Sequence, residues 1–344
     1  MAATHQADKE KIKQEHEATI RETMVNSAKV FVTTSWDFIH SKMDTERGRR
    51  FFKEILHSIF FHCHIYRDTE LNRQSINPEE ILGETLQSEL AVMYPDVFES
   101  YTSLLPRRSP FSILLEVVVE TMAGRSEIDI RTELEKLNNK MIVHKSGGSS
   151  CGNDFCFGAT VVSYSYFRSS SLETQKYFGA SMSCSGRKAT RIFISVACIE
   201  TWNDNVAHAV CLAAKGHPSI TLPDTVYSTA YRLHPPKKGG NNSHEYKELS
   251  PCELCLKIFP NVTFSSLHKK DQDKQFWNYG NCAECEAISN LLNGQTSISD
   301  ETQELNASLE HNLEDLRAKR KNILRGHLNR FNFTVTPEAR FYNS

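Results

Sequence analysis

The chain has 344 residues, 39% of them hydrophobic, with 40 basic against 42 acidic side chains. That is enough apolar mass for about two packed domains and excludes a disordered or collagen-like chain. The near-zero net charge excludes a global field steering the protein to nucleic acid or membrane, so any such binding needs a local patch.

The opening "MAATHQADKEKIKQEHEAT" is polar and charged, without the apolar stretch of a signal peptide, and runs such as "SILLEVVVE" fall far below the roughly 20 residues of a membrane span. We therefore expect a soluble protein of the cytoplasm or nucleus with no membrane partner. In that setting the Asn-x-Ser/Thr triplets at Asn241, Asn261, Asn306 and Asn332 carry no glycosylation argument. Thiols in Cys-x-x-Cys pairs are then expected to bind metal rather than form disulfides.

Residues 1–145 read as a helical domain. "RRFFKEILHSIFF" spaces Phe51, Phe52, Ile55, Leu56, Ile59 and Phe60 as a buried helical stripe. "NPEEILGETLQSELAVMY" predicts a helix with Asn77 as N-cap, Pro78 in the first turn and Glu79 and Glu80 at the positive dipole end. Two more helices follow in "SPFSILLEVVVETMAG" and "SEIDIRTELEKLNNKMIV", split at Gly124, the second capped by Ser126. In "HCH", His62 and His64 stand at i and i+2, which on a helix point to different faces, so they read as core residues rather than ligands. These helices are a candidate surface for a protein partner.

"HKSGGSSCGND", residues 144–154, is a Gly/Ser break, and a second domain is expected over 152–298. "FCFGATVVSYSYF", "KYFGASMSC" and "TRIFISVACIETW" read as strands. A helix in "DNVAHAVCLAAKG", a strand in "DTVYSTAYRL", a loop in "HPPKKGGNNSHEYKE" and a strand in "NVTFSSL" follow. Alternating helices and strands predict an α/β domain with a mixed sheet. Over 299–344 a last amphipathic helix, from Ser299 to Arg330, carries Leu305, Leu309, Leu313, Leu316, Ile323 and Leu324 on one stripe, suited to packing or to docking a partner. Its basic end is expected on dipole grounds alone.

The chemistry concentrates in "SPCELCLKIF" and "YGNCAECEAISNLL". Cys252, Cys255, Cys282 and Cys285 are enough for one tetrahedral zinc. With four thiolates the site would be closed and structural; with three and a water it would be open and catalytic. Structural knuckles often place glycine after the second cysteine, because the backbone bends back there. Neither pair here does; both open apolar helical patterns, where free N–H groups and the dipole stabilise thiolates. Glu284, two residues after Cys282, falls beside such a metal without ligating it, suited to carrying a proton from bound water to a substrate nitrogen. Cys285, at i+3, is a fourth ligand or a core residue.

These two segments, "PCELC" and "NCAE", resemble the zinc-dependent cytidine deaminase superfamily, whose signature is His/Cys-x-Glu plus Pro-Cys-x-x-Cys. "YGNCAECEAISNLL" looks like the Cys-Ala-Glu helix of nucleoside and toxin-type deaminases. The resemblance implies an α/β/α deaminase-like domain, zinc on Cys252, Cys255 and Cys282, and Glu284 as proton shuttle. The motif order is reversed relative to the family, which implies either a circular permutation or one accidental motif. An alignment in the usual order would use "VAHAVCLAA", with His208 as ligand and Val210 in place of the glutamate, and would be inactive unless Glu284 reached in.

On this reading the substrate is cytosine, or with less support adenine, in a nucleoside or a single-stranded nucleic acid. Trp277, Tyr279 and Asn281 are the candidate substrate contacts, with the lysines of "HKKDQDK" and "HPPKKGG" available to phosphates. The alternatives are a non-enzymatic interaction protein with a closed four-cysteine zinc and a deaminase-like domain that binds zinc without turnover.

Overall fold

The computed structural model describes residues 2–66, 75–143, 157–184, 187–213, 220–223, 225–236, 243–266, 277–304, 313–329, 333 and 339–344. Helices α1 (Ala2–Lys42), α2 (Glu46–Ile65), α3 (Pro78–Leu82), α4 (Glu84–Met93), α5 (Pro95–Ser100), α6 (Pro110–Thr121) and α7 (Glu127–Lys140) precede the sheet. Their starts are chemically marked. Thr45 caps α2 by accepting from Gly48 N; Asn77 with Glu80 and Ser126 with Asp129 form capping boxes on α3 and α7, each satisfying two amides that would otherwise lack partners. The single helix expected after Asn77 is instead two, because Gly83 adopts φ 78° between α3 and α4, a left-handed turn open to glycine.

Helix α2 is buried around most of its surface, with Phe52, Ile55, Leu56, Ile59, Phe60 and His62 at 1% exposure or less. His62 lies edge-on to Phe157 and Phe193, whereas His64 faces Tyr101 and Phe333; among the described residues neither joins a group that could hold a metal.

The second half of the chain contains β1 (Val161–Phe167), β2 (Tyr177–Ala180), α8 (Arg187–Glu200), α9 (Asp204–Ala213), β3 (Ile220–Thr221), β4 (Val226–His234), β5 (Glu245–Leu249), α10 (Glu253–Ile258), β6 (Thr263–Phe264), α11 (Ala283–Gly294), α12 (Thr296–Glu301), β7 (Gln303–Glu304) and α13 (Leu313–Leu328). The main sheet runs β2-β1-β4-β5, antiparallel throughout, and β6 adds to β4 in parallel. The architecture is thus mixed α/β, with helices before and after a mixed sheet. The start of the β5 edge is covered by α7: Glu135 accepts from Tyr246 N at 2.8 Å, Asn138 donates to Tyr246 Oη at 2.8 Å, and Asn139 exchanges hydrogen bonds with the His244 backbone. One apolar cluster joins α1, α2, α6 and α7 to Phe157, Val162, Phe178 and Leu233; a second lies between α8, α9, α10 and α11.

Three expected elements are corrected. "TRIFISVACIETW" lies in helix α8, not a strand. Ile192, Phe193 and Val196 face one cluster while Ile194, Ala197 and Cys198 face another, and burial on two sides erases the one-face helical period. The loop expected over 234–248 contains β5. The last helix does not begin at Ser299: α12 ends at Glu301, Thr302 turns extended, and Gln303–Glu304 pair with β3; Leu305 and Leu309 lie outside the described residues. Among the described residues no helix is long and apolar enough to cross a membrane.

The C-terminal residues return to the helices. Leu105 N donates to Arg340 O at 3.0 Å and Tyr342 N to Leu105 O at 2.8 Å. The Tyr342 ring stacks on His57 with centroids 4.2 Å apart, and its hydroxyl donates to Asp96 at 2.6 Å. Burial pushes the His57 pKa down to about 3 from 6.5. The unfolded chain takes that proton below about 6.5 and the folded one does not. The stabilisation is therefore complete above pH 6.5 and is lost as pH falls toward 3, at about 1.4 kcal/mol per unit. Urea unfolding at pH 7 and pH 5 should show the wild type losing about 2 kcal/mol relative to His57→Phe; parallel pH profiles would contradict this.

Candidate metal centre

Two helix starts meet here. Cys252 is the N-cap of α10 and Cys282 the N-cap of α11, and neither side chain makes a capping hydrogen bond. Their sulfurs turn to each other instead. Cys252 Sγ is 3.3 Å from Cys282 Sγ and 3.6 Å from Cys255 Sγ. All three sulfurs lie within 4.8 Å of one another, the one such group among the described residues. Tetrahedral thiolates around zinc, at about 2.3 Å from the metal, stand about 3.8 Å apart. The donor set therefore fits a soft cation with a shift of a few tenths of an ångström.

Electrostatics agree with that reading. Hydrogen bonding with Cys255 and Cys282, together with the Leu254 and Cys255 amides, brings the Cys252 thiol down to about 3, while Cys255 and Cys282 are raised well above the usual range. Three buried thiols this close need positive charge to ionise together.

Glu284 lies on the first turn of α11 and is 3% exposed. Burial first, and then the Cys252 charge, push its carboxyl up to about 7, against a hydrogen bond with Cys255 that lowers it. The carboxyl therefore stands beside the sulfur set and is not part of it.

The position of α11 is fixed from both sides. Gly179 of β2 leaves no room for a side chain, since a Cβ there would lie 2.2 Å from Ala287 N and 2.5 Å from Ala283 O. Ala180 N donates to Glu286 at 2.7 Å, Asn290 to Phe178 O at 2.8 Å, and Asn203 N to Ser289 Oγ at 2.7 Å. Ahead of Cys282 the chain turns at Gly280, φ 86°, against Val210, Ile194 and Trp202. Asn281 O accepts from Met182 N at 3.0 Å.

The two alternative ligands are elsewhere. Cys285 is buried among Ile288, Leu291 and Cys198 and lies outside the sulfur set; at i+3 it turns into the core while Cys282 sits at the cap. His208 faces α13, lining a small cavity with Cys198, Asp204, Cys211, Arg317 and Arg320. Trp277 is 42% exposed, and Tyr279 and Asn281 are half-buried just before Cys282. The lysines of "HKKDQDK" lie outside the described residues, as do Lys237 and Lys238.

Sequence reasoning missed Gly179, Glu286 and Gly280. An isolated glycine inside an apolar strand is a signal of close backbone approach and marks Gly179. Glu286 had no such signal. Comparison with protein-family models, with curated proteins and with solved structures returns no match for this chain.

A metal titration separates the sulfurs. After reconstitution with zinc, Cys255→Ala and Cys282→Ala should fall from one ion per chain to near none by elemental analysis. Cys285→Ala should keep its ion and cost only about 1–2 kcal/mol of stability through the void it leaves. Loss of metal from Cys285→Ala would make the site a closed four-thiolate one.

Proposed function

We propose that this protein is a zinc-dependent hydrolytic deaminase acting on cytosine, with a deaminase-like α/β domain whose two zinc motifs are reversed in order. The observation that carries the reading is the buried Glu284 carboxyl beside three sulfurs drawn from two helix N-termini. A closed structural site has no use for such a group, and burying a carboxyl there is costly.

Cys252, Cys255 and Cys282 would hold the zinc. A zinc ion so bound supplies a water acidified to near neutrality. Glu284 would take a proton from the attacking water and deliver protons to a ring nitrogen and then to the departing amino group. In balance, water adds at C4, the C–N bond breaks, ammonia leaves and a carbonyl remains. Burial keeps bulk water from Glu284, and the fixed position of α11 holds its carboxyl in one place. Adenine, attacked at C6 by the same chemistry, is the less supported substrate.

The test is direct. The zinc-loaded chain is incubated with cytidine, with 5′-CMP and with a single-stranded oligo-dC, and the one-dalton mass gain and ammonia release are followed. Full zinc occupancy with no product on any of the three would overturn the reading in favour of a domain that binds metal without turnover.

A further inference from the structure

A groove of about 680 Å³ opens between α8, α13 and the 277–279 segment. Its walls carry Arg191 from α8, Lys319 and Arg320 from α13, and the rings of Trp277 and Tyr279, and among the described residues no carboxylate lines it. Given the overall charge balance of the chain, described walls with several cations and no anion are unusual. Two nearby cations do pair with carboxylates, Arg317 with Asp204 at 2.5 Å and Arg107 with Glu200 at 2.9 Å. Arg320 is largely buried, and its neighbours are the thiols Cys198 and Cys211. No ion pair to a carboxylate is formed by Arg320, Lys319 or Arg191 among the described residues; Arg191 reaches only the amide oxygen of Asn278, at 3.4 Å. A guanidinium drawn out of water without an anion is costly unless a ligand supplies one.

The groove adjoins the metal centre. Its wall residues Ile194 and Val210 are the side chains that enclose Gly280, two residues before Cys282. Tyr279 borders both the groove and the apolar cluster that holds Cys252 and Cys282. Planar rings beside fixed cations are the elements that hold a base and its phosphate together.

We infer that this groove binds the phosphate of a nucleotide unit, Arg320, Arg191 and Lys319 taking the phosphate and Trp277 stacking on a base, so that the protein acts on phosphorylated nucleotides rather than free nucleosides. The acting part of this inference rests on the deaminase reading; the binding part does not. The ligand is supplied either by a free nucleotide or by a single strand.

The full chain is titrated against a fluorescein-labelled 12-nucleotide oligo-dC by anisotropy, over a range of salt concentrations, with unlabelled 5′-CMP and cytidine as competitors. The exposed pair is changed together, Arg191→Ala with Lys319→Ala, because Arg320 is too buried to alter without risk to the fold. Binding should weaken at least about tenfold in the double variant, and the logarithmic salt slope should shrink by about 0.7 for each cation removed. Trp277→Ala should weaken it about tenfold on its own. Competition by 5′-CMP but not cytidine assigns a free nucleotide; competition by neither assigns the strand; both outcomes support phosphate recognition. Absence of oligonucleotide and nucleotide binding at low salt, equal affinity in the double variant, or displacement of the oligonucleotide by cytidine as effectively as by 5′-CMP would overturn it. Oligonucleotide binding with these losses but no deaminated product would leave the groove standing and remove the deaminase reading. Deamination of cytidine and 5′-CMP at equal rates, indifferent to the double variant, would do the reverse.

Discussion

Glu284→Gln should reduce deamination by about 10²–10⁴-fold while leaving zinc content and fold unchanged. The amide fills the same volume at the same place on the first turn of α11, but it cannot take up the proton that the attacking water loses. The sulfurs at 3.3 and 3.6 Å are untouched by the change, so metal analysis of the variant should still give one ion per chain. Stability separates the two states further. In the metal-free protein the Glu284 carboxyl, raised to about 7 by burial and the Cys252 charge, holds its proton in the folded state over a range where the unfolded chain has lost it. The stabilisation present below the ordinary carboxyl range is therefore lost as pH rises through about 7. Metal-free Glu284→Gln, which has no proton to lose, should become progressively more stable than the wild type over that interval. Unchanged activity in a zinc-loaded variant would remove Glu284 from the mechanism.

Gly179→Ala is the substitution expected to cost most in stability. The contacts that a methyl group would meet are backbone atoms, Ala287 N and Ala283 O, at 2.2 and 2.5 Å, and a helix backbone cannot rotate aside as a side chain tip can. Overpacking in well-packed interiors costs about 1–3 kcal/mol and occasionally more; here the upper end, about 3 kcal/mol, is expected. The shift also moves the first turn of α11, so zinc affinity should fall with stability. Gly326→Ala is the contrast: Gly326 lies inside α13 with nothing within 4 Å of an added methyl group, and replacing a helical glycine there should gain up to about 1 kcal/mol. Urea denaturation and zinc titration of the two variants read both effects. A Gly179→Ala protein of unchanged stability would mean that β2 and α11 do not approach as described.

The parts of the molecule legible in the sequence were those set by local chemistry. Asn77 and Ser126 announce helix starts because a cap needs only its next few residues. The stripe of α2 shows because its Phe, Ile and Leu residues recur at helical spacing where the helix packs on α1 and α6. Likewise, Cys252 and Cys282 were readable as helix openings because each precedes an apolar helical pattern. What was not legible depended on neighbours distant in sequence. Helix α8 looked like a strand because Ile192 and Ile194 answer to different clusters. Its β-branched residues carry the same composition as a strand, and only α13 and α11 on its two sides decide the matter. The break after Glu301 depends on β3, more than 80 residues away in the chain, pairing with Gln303 and Glu304. At the metal centre, the choice between Cys285 and Cys282 was a matter of helix phase, which the cap position settles.

Tyr342 has a bearing on how the chain is made. During synthesis the helices around His57 and Leu105 precede the residues around 340, so the His57 ring stays uncovered and Leu105 lacks its backbone partners until those residues have been made. A nascent chain halted before position 342 therefore leaves that seam open to chaperones and proteases.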